Sequence, residues 1–127
     1  MRLALEWVPF GMDDDTTVGM LKKQVSEFRD SRDWLKYDTP RSLAISISVE
    51  AAELLEHFQW KTDEQMREVL MDRKRENEIS DELADVMIYC LGFSDVLNVD
   101  ISEAIERKLR KNGEKYPVAR SRLVAES

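Results

Sequence analysis

Apolar residues recur along this chain at intervals of three and four, which is the spacing of one face of an α-helix. Only four Gly and three Pro interrupt the pattern, so strands and long loops are not indicated. We expect a first helix that follows the acidic segment 13–17 and runs to about 34, then helices at about 41–60, 63–71, 76–97 and 100–116.

Residues that favour helix starts precede the later segments. Pro40 is tolerated in a first helical turn, Thr62 is a suitable N-cap, and Asp100 with Glu103 resembles a capping box. The apolar stripe of the first helix consists of Val18, Leu21, Val25 and Phe28. The sequence therefore predicts an all-α antiparallel bundle of about five helices, similar to a four-helix bundle.

The composition is that of one globular domain, with 43% apolar and 35% charged residues in 127 positions. We expect the domain to cover 13–117, with a loose N-terminal extension at 1–12 and a flexible tail at 118–127. We expect neither a membrane span nor a signal peptide, because no apolar stretch is long enough and residues 1–11 lack the layout of a signal peptide. The lone Cys90 has no partner in its own chain, which favours a reduced, buried thiol in a cytoplasmic protein.

Acidic residues exceed basic ones, because 26 Asp and Glu stand against 19 Lys and Arg for a net charge of -7. Such a chain is a poor candidate for binding duplex nucleic acid, since phosphate contacts need a basic surface. If this protein handles phosphates, we expect it to do so through cations.

Some of these acids point the wrong way for a solvated surface. At 100° per residue, Glu50 falls within the apolar stripe of the second helix, with Glu53 and His57 beside it. The same arithmetic places Glu82 among apolar residues of the fourth helix, with Asp85 on its flank. Because a buried carboxylate without a partner is costly, these acids must be protonated, paired with Lys or Arg of neighbouring helices, or bound to metal.

Two carboxylates three residues apart on a helix can reach the same ion, and two such helices facing each other present four. All-oxygen ligands suit a hard cation, Mg²⁺ or Mn²⁺. Di-iron and zinc sites are disfavoured because the chain has one histidine. A phosphate-binding loop is absent because no Gly-x-x-x-x-Gly-Lys motif occurs.

The spacing Glu50-Ala51-Ala52-Glu53 followed by Glu82-Leu83-Ala84-Asp85 resembles the signature of the all-α MazG-like nucleoside triphosphate pyrophosphohydrolases. Flanking motifs resemble the dCTP pyrophosphatase branch of that family: Arg32-Asp33-Trp34, Pro40-Arg41, the run from Glu53 to Lys61, Asp85-Val86-Met87-Ile88-Tyr89, and Lys108, Asn112 and Tyr116-Pro117. The likeness covers about residues 17–117.

This resemblance implies a Mg²⁺-dependent enzyme that cleaves between the α and β phosphates of (deoxy)nucleoside triphosphates, releasing monophosphate and pyrophosphate. Glu50, Glu53, Glu82 and Asp85 match the metal ligands of the family. Glu53 and Glu56 are the candidate catalytic carboxylates, and Glu56 is alternatively a further ligand. The role implied is the removal of non-canonical or surplus nucleotides.

The resemblance also assigns residues to the substrate. Lys108, Asn112 and Tyr116 share one face of the last helix and match phosphate-binding positions. Trp34 and Trp60 match aromatic positions that stack on the base. Taken alone, the first three are typical of a solvated helix flank, and the two Trp side chains are equally typical of packing in a core or interface.

Relatives of this kind form dimers or tetramers, so the resemblance implies a homodimer or homotetramer. An apolar surface nearly all round the second helix agrees with burial against a partner chain. Asp38 stands where the branch often has histidine, and Val25 where its close relatives are polar, so the base preference stays open between cytosine and adenine, with dCTP-like substrates slightly favoured. A non-catalytic dimerisation or nucleotide-sensing module is the alternative function, against which the intact carboxylates argue.

Overall fold

The computed structural model describes residues 11–119 of the chain. Over that range the chain forms five α-helices and no strand, which confirms the predicted all-α class. The N-terminal extension and the tail predicted from the sequence lie mostly outside the described residues. The helices are α1 (Val18–Ser31), α2 (Pro40–Glu56), α3 (Asp63–Met71), α4 (Arg73–Val96) and α5 (Ile101–Lys115).

Side-chain caps set the helix starts. Thr17, Thr62 and Asp100 each accept a hydrogen bond from the backbone amide three residues further on, which satisfies an amide that the helix leaves without a partner. Asp72 caps α4 in the same way, by accepting from the amide of Lys74 at 3.0 Å. Because of this cap α4 begins at residue 73, and the prediction of a start near residue 76 is wrong by one turn.

Two helices end earlier than the apolar pattern predicts. α1 stops at Ser31 and α2 at Glu56, although the sequence predicts helix to about 34 and 60. Past α1 the backbone turns because Asp33 adopts a left-handed conformation, with φ of 57°. Asn98 makes the same turn after α4, with φ of 53°. Asp and Asn tolerate this conformation better than other residues with a side chain, so a helix end without glycine is not read easily from sequence.

Helix α4 is the centre of the bundle, since α2, α1 and α3 all pack against it. Its Gly92 is buried, with side-chain atoms of Leu43 of α2 and Val25 of α1 next to it. Leu43 and Leu91 are only 2% and 7% exposed and form the fully buried apolar core of the described residues. Helix α5 makes only sparse contacts with the other helices.

Several apolar side chains stay exposed in the single chain. Ile45 on α2 is 52% exposed and Leu109 on α5 is 64% exposed. Phe28 was expected on the packed stripe of α1, but it is 47% exposed. Cys90 is a free thiol that is only half-buried, whereas the sequence favours a buried one. Of the helices in the described range, none combines the length and apolarity needed to cross a membrane.

Candidate metal centre

Three carboxylates from two helices converge at the packed face of α2 and α4. Glu50 and Glu53 are three residues apart on α2 and therefore project to the same side of that helix. Glu82 comes from α4, the helix against which α2 packs most extensively. One carboxylate oxygen of each residue lies within 4.8 Å of the other two. The structure thus brings together three of the four acids that the sequence indicated as metal ligands.

The charges of this group are poorly compensated. Glu50 and Glu82 are half-buried, and each has a buried Oε2 without a hydrogen-bond partner among the described residues. Burial, a hydrogen bond with Glu53 and the negative charges of Glu53, Asp85 and Glu82 raise the pKa of Glu50. Burial, followed by the charge and hydrogen bond of Glu53 and the charge of Asp85, raises the pKa of Glu82, while His57 lowers it.

Lysine and arginine do not neutralise the group. Across residues 11–119, no Lys or Arg nitrogen lies within ion-pair distance of Glu50, Glu53, Glu82 or Asp85. The sequence left open that these acids pair with Lys or Arg of neighbouring helices. Among residues 11–119 such pairs are not found. Convergent oxygen donors with buried, unpartnered atoms fit a hard divalent cation.

The remaining acidic candidates lie at the edge of the group. Asp85 is exposed and does not belong to the three convergent oxygens, although its charge reaches Glu50 and Glu82. Glu56 is exposed at the last position of α2 and also lies outside the group. Neither side chain therefore belongs to the group formed by Glu50, Glu53 and Glu82.

Trp34 lies directly after α1 within a small exposed cluster. Its ring contacts Phe28 edge to face, with 6.0 Å between ring centroids. The guanidinium carbon of Arg32 lies 3.5 Å from the centroid of Phe28 and 5.8 Å from that of Trp34. These contacts leave Trp34 47% exposed, so one surface of the ring remains accessible.

Trp60 lies in the turn between α2 and α3 and is 86% exposed. It borders an open cavity of about 450 Å³ whose lining carries both signs of charge. No spacing in the sequence indicates this cavity, because its residues come from the α2–α3 turn, α3 and the start of α4. They are Trp60, Lys61, Gln65, Glu68, Val69, Asp72 and Arg75.

The predicted phosphate-binding residues lie on or at the end of α5. Lys108 and Tyr116 are exposed and Asn112 is half-buried. In the described part of the chain no hydrogen bond or ion pair joins these three residues to the carboxylate group, and α5 packs only sparsely on the other helices. One copy of the chain therefore does not assemble the whole predicted site.

One partly buried ion pair has no clear signature in the sequence. Arg29 of α1 is 8% exposed, and its Nη1 donates to Oδ2 of Asp95 on α4 at 2.8 Å. Its Nε donates to Oδ1 of Asp30 at 2.9 Å. Burial by itself lowers the pKa of Arg29, but the hydrogen bonds and negative charges of Asp30 and Asp95 together outweigh it, so that the pKa is raised. The only local signal was the position of Arg29 at the edge of the apolar stripe.

The fold and this centre define an all-α bundle that presents acids from two packed helices to one point. Residues 45–126 match the model of the MazG-like family. The chain is 32% identical over 114 residues to dCTP pyrophosphatase 1 of Rattus norvegicus, covering 90% of this chain and 67% of that protein. Against the Homo sapiens protein of the same name the identity is 31% over 108 residues, covering 85% and 64%.

A solved structure is also similar. The crystal structure of a pyrophosphatase from Archaeoglobus fulgidus aligns with a TM-score of 0.72 and 51% identity, covering 78% of this chain and 91% of that one. The chain belongs to the MazG-like family, close to its dCTP pyrophosphatase branch. These relatives confirm the predicted family and the predicted enzyme class, the nucleotide pyrophosphohydrolases.

Proposed function

We propose that this chain is a Mg²⁺-dependent enzyme that hydrolyses (deoxy)nucleoside triphosphates between the α and β phosphates, releasing monophosphate and pyrophosphate. The convergence of Glu50, Glu53 and Glu82 without a neutralising cation is the observation that carries the proposal. A net charge of -7 would repel a triphosphate unless a metal ion lay between them. The names of the relatives favour a dCTP-like substrate.

Glu50, Glu53, Glu82 and Asp85 would hold Mg²⁺, with Mn²⁺ as a substitute. When bound, the ion would neutralise charge on the polyphosphate and lower the pKa of an attacking water. The protein supplies a ready-made set of acceptors, because Glu50 and Glu82 come from two packed helices and need not reorganise. Asp85, at the edge of the group, would complete the set.

In the reaction a water oxygen attacks the α-phosphorus, and the bond from that phosphorus to the α–β bridging oxygen breaks. Pyrophosphate leaves with the bridging oxygen, and the proton of the water passes to a carboxylate. Glu53 and Glu56 are the candidates for that carboxylate. Since an oxygen of Glu53 belongs to the convergent group, Glu56 is the side chain left free to accept the proton.

Trp34 and Trp60 would bind the base, because exposed aromatic rings stack on any base with useful strength. This mode of binding suits a housecleaning enzyme that removes non-canonical or surplus nucleotides. Because stacking tolerates cytosine and adenine alike, discrimination would depend on the groups around the rings.

Lys108, Asn112 and Tyr116 would bind the phosphates from a second copy of the chain. In support of this, α5 carries exposed apolar side chains, with Ile105 at 53% and Leu109 at 64%, and barely packs on its own bundle. An amphipathic helix of this kind needs a cover for its apolar face. The enzyme would therefore be a homodimer or homotetramer with a site completed by its partner.

Pyrophosphate release from a panel of deoxynucleoside triphosphates tests the proposal. We expect release with Mg²⁺, weaker or equal release with Mn²⁺, and none in chelator. Glu53→Gln should reduce it strongly while the helical content is kept, and Lys23→Met, at an exposed position of α1, should not change it. Ranking the nucleotides by kcat/KM gives the preference.

Protein that binds nucleotides but leaves every triphosphate intact with either metal would contradict the proposal. That result would favour a non-catalytic sensing or dimerisation module instead.

A further inference from the structure

Trp34 is held by the turn that ends α1. Its amide donates to the carbonyl of Arg29 at 3.1 Å, and the amide of Asp33 donates to the carbonyl of Asp30 at 3.1 Å. Together with the left-handed backbone of Asp33, these two bonds form a Schellman motif. The edge-to-face contact of Trp34 with Phe28 is the apolar contact that often accompanies this motif. The backbone of Trp34 is thus tied to Arg29.

Arg29 is in turn tied to α4. Its guanidinium donates to Asp95 at 2.8 Å in the last turn of that helix and to Asp30 at 2.9 Å. The last turn of α4 is closed by a second Schellman motif, in which the amide of Val99 donates to the carbonyl of Ser94 at 2.8 Å. The ion pair therefore joins two closed helix ends rather than two flexible segments.

We infer that Arg29, held by Asp95, is a positioning residue that fixes Trp34 relative to the carboxylates of α2 and α4. The inference rests on the proposed function, in which Trp34 stacks on the base while Glu82 and its neighbours hold the metal. Arg29 joins the two parts because its carbonyl holds Trp34 and its side chain holds α4, the helix of Glu82. Because the ring and the carboxylates are held in a fixed relative position, the base and the triphosphate can be bound at the same time.

The geometry demands arginine. A planar guanidinium presents several donors in a fixed fork, and here two of them reach two carboxylates, Asp30 and Asp95. A lysine ammonium keeps the charge but is a compact point charge that does not reproduce this fork. Arg29→Lys therefore loosens the link without leaving the half-buried Asp95 beside no cation.

Steady-state kinetics with Mg²⁺ and the preferred nucleotide tests the inference. Arg29→Lys should raise KM about tenfold, the loss expected for a weakened base stack, and change kcat by less than about threefold. In a Trp34→Ala background the same substitution should have no further effect on KM, because Arg29 acts through Trp34. Lys23→Met on the same helix, which removes a cation from an exposed pair, is the matched control.

A second double variant distinguishes a loss of positioning from a loss of folding. Arg29→Met with Asp95→Leu removes both charges together, a replacement that buried ion pairs often tolerate. It should fold and also raise KM. If either variant lowers the melting temperature but leaves KM unchanged, Arg29 is a structural residue only and the inference is wrong. An equal rise of KM in the Trp34→Ala background would also overturn it.

A readout independent of catalysis separates this inference from the proposed function. Trp7→Phe with Trp60→Phe leaves Trp34 as the only tryptophan. In that background Arg29→Lys should increase acrylamide quenching of Trp34 fluorescence and speed exchange of the Trp34 amide hydrogen, whereas Lys23→Met should do neither. If the wild-type chain hydrolyses no nucleotide, the proposed function fails, and unchanged quenching and exchange in Arg29→Lys would still refute the positioning role.

Discussion

The carboxylates of Glu50 and Glu82 approach each other from two packed helices, and each keeps one buried oxygen without a hydrogen-bond donor in the described part of the chain. Glu53 adds a third oxygen to the same point. Such an arrangement opposes folding when it is empty of cations, because the negative charges repel and are partly desolvated. The carboxylates that would bind the metal therefore lower the stability of the metal-free chain, and this loss of stability can be measured.

The pH dependence of the free energy of unfolding should show how much the charged Glu82 destabilises the folded chain. Its pKa is raised by burial and by the charges of its neighbours, so the folded chain binds more protons than the unfolded chain between the ordinary and the raised pKa. The free energy of unfolding contributed by this group then falls as pH rises through that interval. In chelator, Glu82→Gln should be more stable than wild type above the raised pKa. The difference should shrink as pH falls and vanish below about 4.3, the ordinary pKa of glutamate.

Urea denaturation in chelator at a series of pH values measures this difference. Glu64→Gln, at an exposed position of α3, should show no comparable gain. A gain in Glu82→Gln that is the same at every pH would mean that charge is not its cause. With Mg²⁺ at about 100 times its Kd, wild type should gain about 2.7 kcal/mol, and Glu82→Gln much less.

Two neighbouring glutamates of α2 should differ in their metal dependence. Glu53→Gln removes an oxygen of the convergent group, so we expect at least about a 100-fold loss of kcat/KM, relieved in part by higher Mg²⁺. Glu56→Gln removes a carboxylate outside the group and should lower kcat by about 10²-fold or more at every Mg²⁺ concentration. Rates measured over a Mg²⁺ titration distinguish the two, and relief of Glu56→Gln by metal would contradict its role as proton acceptor.

The buried Gly92 should accept a methyl group. A Cβ there would lie 3.9 Å from Leu43 Cδ2 and 4.0 Å from Val25 Cγ1, which is ordinary van der Waals contact. Gly92→Ala should therefore raise the free energy of unfolding by about 0.5–1 kcal/mol, because glycine is a poor helix former. Gly92→Ile should lower it by about 1–3 kcal/mol through overpacking. Urea unfolding checks both, and a loss of stability in Gly92→Ala would contradict the expectation that a methyl group fits at this position.

Self-association should depend on the exposed apolar side chains of α2. Ile45→Glu places a charge where the proposed partner covers the helix, so we expect light scattering to show a smaller assembly with unchanged helical content. Activity should fall with the assembly, because the phosphate-binding face of α5 would come from the partner. Leu70→Glu, at a similarly exposed position on α3, is the control. An Ile45→Glu protein that keeps its mass and its activity would contradict the proposed completion of the site.

The sequence was most informative where structure depends on residues three or four positions apart. The caps Thr17, Thr62 and Asp100 begin helices where they were predicted to do so. The helical period also placed Glu50 and Glu82 on apolar faces, and both side chains are half-buried there. Local spacing fixes which side of a helix a residue occupies, so these features need no knowledge of the fold.

Features that depend on distant parts of the chain could not be found in this way. α1 and α2 end earlier than the apolar pattern indicated. After α1 the left-handed backbone of Asp33 turns the chain without a glycine, and the spacing of apolar residues does not reveal such a turn. Nor does it reveal the exposure of Phe28, since α1 presents Arg29 instead to α4.

By itself the sequence determined the helical class, the positions where most helices start and the pair of acidic motifs that belong inside. Only the tertiary structure decided that Glu50, Glu53 and Glu82 share one point while Asp85 stays at its edge. It alone also paired Arg29 with Asp95, 66 positions away. The physical reason is that helical periodicity fixes a direction from each helix, whereas a distance between two helices depends on how the whole bundle packs.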